Sequence, residues 1–306
     1  MNVIFPAYPT THKIAPFWEQ ESLAAKAAGF DISVVSDQND SGPLTLTKNE
    51  GQSSLYRGWI VKPRYYQELA QVIHQNNMKS LLGGHQWSLL TSPEDYQWSY
   101  DFPQWYAEMK DYTPASLLYT AEEVRTLGLE KIAEQLREKL GTRPLILKDW
   151  LKSRKDKWAD ACFIKDASDT VESHRIMTNF FFLQGREFYG GLVFRDFLSL
   201  KVLGTHKLGM PLPVEYRTFF LRQKPMMTFK YWQHDIDYPE SVEAPPQAWL
   251  EEIGQKMKSP FVALDLALGS DGKWWVIEVN DGGTAGFSEH VDAQEFYRLL
   301  YQGLKG

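Results

Sequence analysis

The sequence predicts an α/β unit over residues 1–120 followed by an α+β unit over residues 121–306. Three observations carry that expectation. Short apolar runs alternate with helix-prone stretches at the front of the chain, the pattern of parallel strand–helix–strand units. Behind residue 143, strand-like runs follow one another closely, as antiparallel pairing allows. One of them, Phe261 to Asn280, is a long hairpin with its turn residues written into it.

The elements follow in order. Val3-Ile4-Phe5 is a short strand stopped by Pro6, and Glu19 to Ala28 is a helix ended by Gly29. Ile32 to Val35 is a second strand and Tyr56 to Val61 a third. Pro63 then opens a helix with Tyr66, Leu69, Ala70 and Ile73 on one side. Residues 85–118 are rich in Trp, Tyr, Ser and Pro and show no clear period. Thr120-Ala121-Glu122-Glu123 is a capping box, so a helix begins near 121 and ends at Gly141. Pro144 to Lys148 is a strand, residues 149–161 a basic loop, and Ala161 to Lys165 a short strand. Asp169 caps a helix reaching about Phe188. Strands follow at Gly190 to Leu200 and Val214 to Leu221, and residues 223–245 are irregular. A helix from Pro245-Pro246 ends before Pro260, and Asp292 to Lys305 is the closing helix.

The hairpin carries the sharpest chemistry. Asp271-Gly272 is a preferred two-residue turn. Counting back along both strands from that turn sets Asp265 opposite Glu278. Alternation then gives one apolar face of Leu264, Leu266 and Leu268 with Trp275, Ile277 and Val279. Asp265, Glu278 and Asn280 share the other face. Opposed residues have Cβ atoms about 4.5–5.5 Å apart, where like charges repel. Two carboxylates and an amide oxygen on one face are hard ligands suited to Mg²⁺, which would reverse that repulsion. An exposed strand face with both acids solvated is the plain alternative. The run Asn280 to Gly286 leaves the strand as a flexible, glycine-rich loop able to approach a phosphate.

Lys148 ends one core strand and Lys165 sits on the next, joined by a loop bearing Lys152, Arg154, Lys155 and Lys157. Singly, each strand lysine reads as a snorkelling side chain. Together with the carboxylate face they read as a phosphate-facing hairpin. Glu215 and Arg217 share a strand face; Arg217 either pairs with an acid or offers its planar fork to phosphate. The loops 149–161 and 199–210 are basic and poor in apolar anchors, which suggests that 149–161 is a lid, mobile without nucleotide and ordered by Mg·ATP. The Walker A, Gly-x-Gly-x-x-Gly and Gly-x-Ser-x-Gly patterns are absent, removing the main support for P-loop, Rossmann and α/β-hydrolase readings. The seven histidines have no metal-ligand spacing; His85, His206 and His290 sit in loops. Cys162 stands among apolar neighbours and reads as buried and inert.

Composition bounds the rest. At 306 residues and 43% hydrophobic, the chain has ample core. A single cysteine excludes an intrachain disulfide and fits a reducing compartment. Net charge is −6, so a whole-protein field for nucleic acid is missing. No apolar run is long enough to span a membrane, and the N-terminal residues do not read as a signal peptide. The expectation is a soluble cytoplasmic protein.

Lys148, the basic loop, Arg217, the acid at 265 and the Glu-x-Asn at 278–280 follow one another in an order that resembles the ATP-grasp superfamily. The runs Val193 to Phe197, Val214 to Phe219 and Phe261 to Asn280 are similar to its prokaryotic R-two-K clade and to that clade's eukaryotic relative, a cell-division-cycle assembly factor. The resemblance covers about residues 143–303 and more loosely Tyr56-Arg57-Gly58-Trp59. It implies an ATP-grasp fold: an N-terminal α/β domain, then lobes of about 143–192 and 198–306 around a hinge at 193–197. It implies that Lys148, Lys165 and Arg217 contact ATP phosphates, with Arg217 on the developing charge. Phe194, Arg195, Asp196 and Phe197 would hold adenine against their backbone, and Asp265, Glu278 and Asn280 would hold Mg²⁺. The implied activity is ATP-dependent ligation of a small-molecule or peptide carboxylate to an amine through an acyl phosphate. The alternative is an ATP-binding assembly factor with a protein partner and little turnover. The aromatic segments 85–112 and 225–249 are candidates for shaping the substrate pocket.

Overall fold

The computed structural model describes residues 1–8, 11, 13–36, 44–47, 53–79, 88–232, 236–288 and 291–305, with the side chains of 76–79 excepted. The first unit opens with β1 (Asn2–Pro6), α1 (Glu19–Ala27), β2 (Asp31–Val35), β3 (Ser54–Tyr56) and α2 (Pro63–Lys79). These strands form a parallel sheet in the order β2–β1–β3. The third strand stops at Tyr56, short of the predicted Val61. Arg57 and Gly58 turn instead toward the far end of the chain, where Gly58 N–H donates to the Gly283 carbonyl. The unassigned aromatic stretch supplies α3 (Pro93–Tyr100) and α4 (Phe102–Met109). Ser92 and Asp95 close a capping box on α3.

The next lobe runs β4 (Ser116–Thr120), α5 (Ala121–Leu140), β5 (Leu145–Asp149), β6 (Phe163–Ile164), α6 (Thr170–Gln184) and β7 (Gly191–Asp196). Its sheet is antiparallel in the order β4–β7–β5–β6. Residues 116–120 thus pair within this lobe. The capping box at Thr120 and Glu123 starts α5, which breaks at Gly128. The basic loop contains a 3-10 turn over Lys155–Lys157 and a π turn over Trp158–Cys162, and β6 is correspondingly only two residues long.

The last lobe holds β8 (Val202–Thr205), β9 (Pro211–Pro213), β10 (Glu215–Leu221), β11 (Lys224–Lys230), α7 (Gln247–Gly254), β12 (Phe261–Leu268), β13 (Trp274–Asp281) and α8 (Ala293–Lys305). Its main sheet is antiparallel in the order β11–β10–β12–β13. Two segments read as irregular are strands: β11 returns directly from β10, and β8 pairs with β9. Both lack clean alternation, and β8 is largely exposed.

The main sheet has two unlike faces. Phe220, Val262, Leu264, Leu266, Val276 and Val279 pack under Trp98, Phe102 and Trp105 of α3 and α4 and Leu250 and Ile253 of α7. On the other face Phe219, Leu221, Phe261 and Ala263 pack against Val3, Phe5 and Trp18 from the front of the chain and Phe296, Tyr297 and Leu300 of α8. The α/β unit therefore buries apolar surface against the last lobe, and burying one large side chain contributes roughly 1.5–3 kcal/mol.

Candidate active site

The site begins where the second face of the main sheet runs out of core. On β10 the same-face residues are Leu221 and Phe219, then Arg217 and Glu215. On β12 they are Phe261 and Ala263, then Asp265 and Ala267. Pairing sets Arg217 beside Asp265 and Asp265 beside Glu278. Three charged side chains thus meet in a row across three strands, with Asn280 next to Asp265 at 3.5 Å.

The opposition of Asp265 and Glu278 is as predicted, but it is reached through two compensating irregularities. Gly269 N–H donates to the Lys273 carbonyl, so the loop is three residues long, with Gly272 at φ +83°. That conformation is left-handed and suits glycine. A bulge between Asp265 and Leu266 then restores the pairing. Beyond the bulge the outer part of β13 presents Trp274 and Val276 to the core, in place of the predicted Trp275 and Ile277. Ile277 lines the cleft instead.

That cleft is a cavity of about 280 Å³ between the two lobes. Lys148 of β5, Lys155, Glu215 and Glu278 line it with the chain from Arg195 to Leu200. Trp158 and Phe197 add an aromatic wall; Trp158 stacks on Phe163 at 5.2 Å, and Phe163 meets Phe197 at 4.9 Å. The wall begins two residues later than the predicted hinge. Strand β7 is paired on both edges, and Val193 and Phe194 are buried in cores to either side of it. Phe194 does not line the cleft. Arg195 holds the Ile277 carbonyl at 2.6 Å and Thr113 at 2.7 Å, tying the lobes together. Asp196 accepts from Arg143 at 2.9 Å.

Lys165 is not brought to the cleft: it is exposed, just past the end of the two-residue β6. Lys155, from the loop before it, lines the cleft instead. The basic loop is anchored to α6, where Arg154 donates to the Leu183 carbonyl, Asn179 to Asp160 and Arg175 to Ala159. The expectation of an unanchored loop gives way to these bonds. His206 caps a turn between β8 and β9 and does not line the cleft, while His85 and His290 lie outside the described residues.

Each carboxylate of the opposed pair has its own cation. Arg217 grips Asp265 with two bonds of 2.7 and 2.8 Å, and Lys148 donates to Glu278 at 3.0 Å. Burial works against the charge on Glu278, but Lys148 and Lys155 outweigh it and hold its pKa below the usual value. Lys155 is an exposed residue at the cleft; the desolvation of its head there opposes its charge, and Glu215, Glu278 and Asp265 overcome that, raising its pKa. Glu215, buried and only distantly balanced by Lys155, is pushed up to about 8. The repulsion expected between Asp265 and Glu278 is thus answered within the chain. Two carboxylates and one amide on one face also form a hard oxygen set whose chemistry fits Mg²⁺.

The loop after β13, expected to be flexible, is fastened by two arginines. Arg217 donates to the Gly286 carbonyl at 2.9 Å. Arg57, fully buried between the rings of Trp18 and Phe287, donates to Gly283 and Ala285 carbonyls and is held by Glu21. A Cβ at Gly283 would press into the Tyr56 carbonyl oxygen, so the two segments approach as only glycine allows. A second, smaller cavity of about 20 Å³ lies beside this loop and shares Lys148 and Glu278 with the cleft.

Residues 139–300 match the family described as ATP-grasp domain, R-two-K clade family 3. Three solved structures share the fold at low identity. A RimK domain protein ATP-grasp from Sphaerobacter thermophilus aligns over all of both chains, with TM-score 0.59 and 14% identity. The D-alanine–D-alanine ligase from Coxiella burnetii aligns over 99% of this chain and 93% of its own, with TM-score 0.58 and 12% identity. The ATP-grasp ligase PsnB, complexed with minimal precursor, Mg and ADP, aligns over 99% and 98%, with TM-score 0.54 and 12% identity. No curated protein matches the sequence. No helix among the described residues is long and apolar enough to cross a membrane.

Proposed function

Because this chain is an ATP-grasp protein of R-two-K clade family 3, we propose that it is an ATP- and Mg-dependent ligase joining a carboxylate to an amine. The observation that carries the reading is the convergence of Lys148, Lys155 and Glu278 on one cleft, with Arg217 and Asp265 on the adjoining strands. Adenine would lie along Arg195 to Leu200 against Trp158 and Phe197, a wall shaped for a flat ring. Lys148 and Lys155 would receive the phosphates, and Arg217 would face the charge that develops as the γ-phosphoryl moves. Asp265, Glu278 and Asn280 would hold Mg²⁺, which would supply positive charge to the phosphate oxygens. The ion pairs seen here fit that role as placeholders. Lys148 would exchange Glu278 for phosphate and release the carboxylate to the metal.

A substrate carboxylate would attack the γ-phosphorus and expel ADP, leaving an acyl phosphate. An amine would then attack the acyl carbon, lose a proton and expel inorganic phosphate. No side-chain nucleophile is required, so the protein's part is orientation and charge. ADP release should depend on both a carboxylate and an amine when panels of amino acids and short peptides are supplied with Mg·ATP. Tight Mg·ATP binding with no ADP release under any pair would overturn the ligase reading and favour a nucleotide-bound assembly factor.

A further inference from the structure

The small cavity beside the loop after β13 holds a buried carboxyl group that has no ion-pair partner among the described residues. Asp281 is 4% exposed and lines this cavity, and neither carboxylate oxygen has a partner in good hydrogen-bond geometry among the described residues. The nearby Thr91 hydroxyl, 1% exposed for its residue, is likewise without one among them. The Thr284 and Gly283 amides and the Thr91 and Thr284 hydroxyls lie close to the Asp281 carboxyl group. Ser99, Tyr96 and Thr284 stand around the same cavity. Ser99 donates to the Asp95 and Tyr96 carbonyls and Tyr96 to the Val61 carbonyl, so neither hydroxyl proton is turned to Asp281. Burying a carboxylate without a partner is unfavourable, and a counter-charge that reaches it relieves that cost. A water would supply protons but no counter-charge, and the one cation on the same cavity among the described residues, Lys148, is already paired with Glu278 at 3.0 Å. Room for about 20 Å³ matches one water-sized group.

We propose that Asp281 and Thr91 form a site for a compact monovalent cationic group, either the ammonium head of an amine co-substrate or an inorganic ion of K⁺ size. The cavity shares Lys148 and Glu278 with the cleft, while its other walls come from Ile60, α3, Trp105 of α4, Trp150 and Leu151, and the end of β13 including Asn280; the chain at Arg195 to Leu200 does not line it. Ile60 is 43% exposed, which places the cavity close to solvent. An amine arriving there would share Lys148 and Glu278 with the cleft but not its aromatic wall. That source rests on the ligase reading; the cation site itself does not.

The test compares melting of the full chain in rubidium, propylammonium and tetramethylammonium chlorides at equal ionic strength, with Mg·ATP binding measured in parallel. Rubidium or propylammonium should raise the midpoint by roughly 2–4 °C over tetramethylammonium, which is too large to enter. Asp281→Asn should abolish the difference, and Thr91→Val should reduce it. The more effective of the two cations identifies the source. Equal melting in all three salts would overturn the proposal and leave a protonated Asp281 as the better account, as would a difference that survives in Asp281→Asn. Should Asp281→Asn fail to fold, rubidium anomalous scattering from wild-type crystals decides, a peak at Asp281 supporting the site and its absence sinking it. Loss of Mg·ATP binding in the wild type would remove the ligase reading and leave the cation result intact.

Discussion

Asp265 and Glu278 face each other across two strands, yet neither is left to repel the other. Arg217 and Lys148 neutralise them from β10 and β5. Removing one member of a buried pair strands the other, at a cost of about 3–5 kcal/mol. Asp265→Asn should therefore lower apo stability by that order and abolish Mg-dependent ATP binding. Glu278→Gln, whose pair is partly wet, should lose the binding with less effect on melting. Lys155 and Lys165 separate two accounts of the phosphate site. Lys155→Ala should weaken ATP roughly 10–100-fold, the worth of one charge-assisted bond, and leave adenosine nearly unchanged, whereas Lys165→Ala should alter neither in a titration. Glu215 provides a pH test. Its native pKa of about 8 exceeds the ordinary 4.5, so the folded chain keeps a proton there that the unfolded chain has lost. Unfolding then releases a proton, and stability falls as pH rises through that window. Melting of Glu215→Gln should show a shallower decline between those pH values. Of these residues, Lys148, Arg217, Asp265, Glu278 and Asn280 were legible from strand ends and alternation. Lys155 was hidden because its position depends on turns no periodicity announces.

At the level of elements, the hairpin of β12 and β13 shows how a right answer survives two local errors. Asp271-Gly272 announces a tight turn but not its length, and the added residue is cancelled by the bulge near Ile277. The inner ends of the strands are insensitive to the difference; the outer ends exchange faces. Strand β11, Lys224–Lys230, was illegible because Lys-Pro-Met-Met-Thr-Phe-Lys lacks a polar face, its middle being half-buried on both sides. The loop after β13 reads as free glycine-rich chain in the sequence, because the arginines that fasten it are remote, Arg217 by 69 residues and Arg57 by more than two hundred. Arg57 reaches Glu21 and two carbonyls with one planar group, a geometry lysine cannot copy. Arg57→Lys and Arg57→Met should both accelerate hydrogen exchange at the Gly58 amide, which donates to Gly283, by tenfold or more on the order of a lost buried charge-assisted bond. Unchanged exchange there would mean the backbone holds the loop unaided.

Over the whole molecule, the parallel sheet and the antiparallel sheets were legible as classes, because parallel and hairpin spacing differ in the sequence. Their mutual packing was not, since no periodicity says which apolar face meets which. Helix α4 lies over the main sheet of the last lobe, and α1 lies against α8. A chain starting at residue 111 would uncover Phe220, Leu264, Phe261 and Phe296 together. Such a truncation should be insoluble or lack a cooperative melt, whereas a separable unit would stay soluble. The same seam governs events during synthesis. Val3, Phe5 and Trp18 leave the ribosome early, but Phe261, Phe296 and Leu300, which cover them, emerge some 250 residues later. At about 5–20 residues per second that is a delay of roughly 12–50 s. During that interval the front of the nascent chain presents a sticky, half-finished surface, a natural client for a chaperone that binds near the tunnel exit.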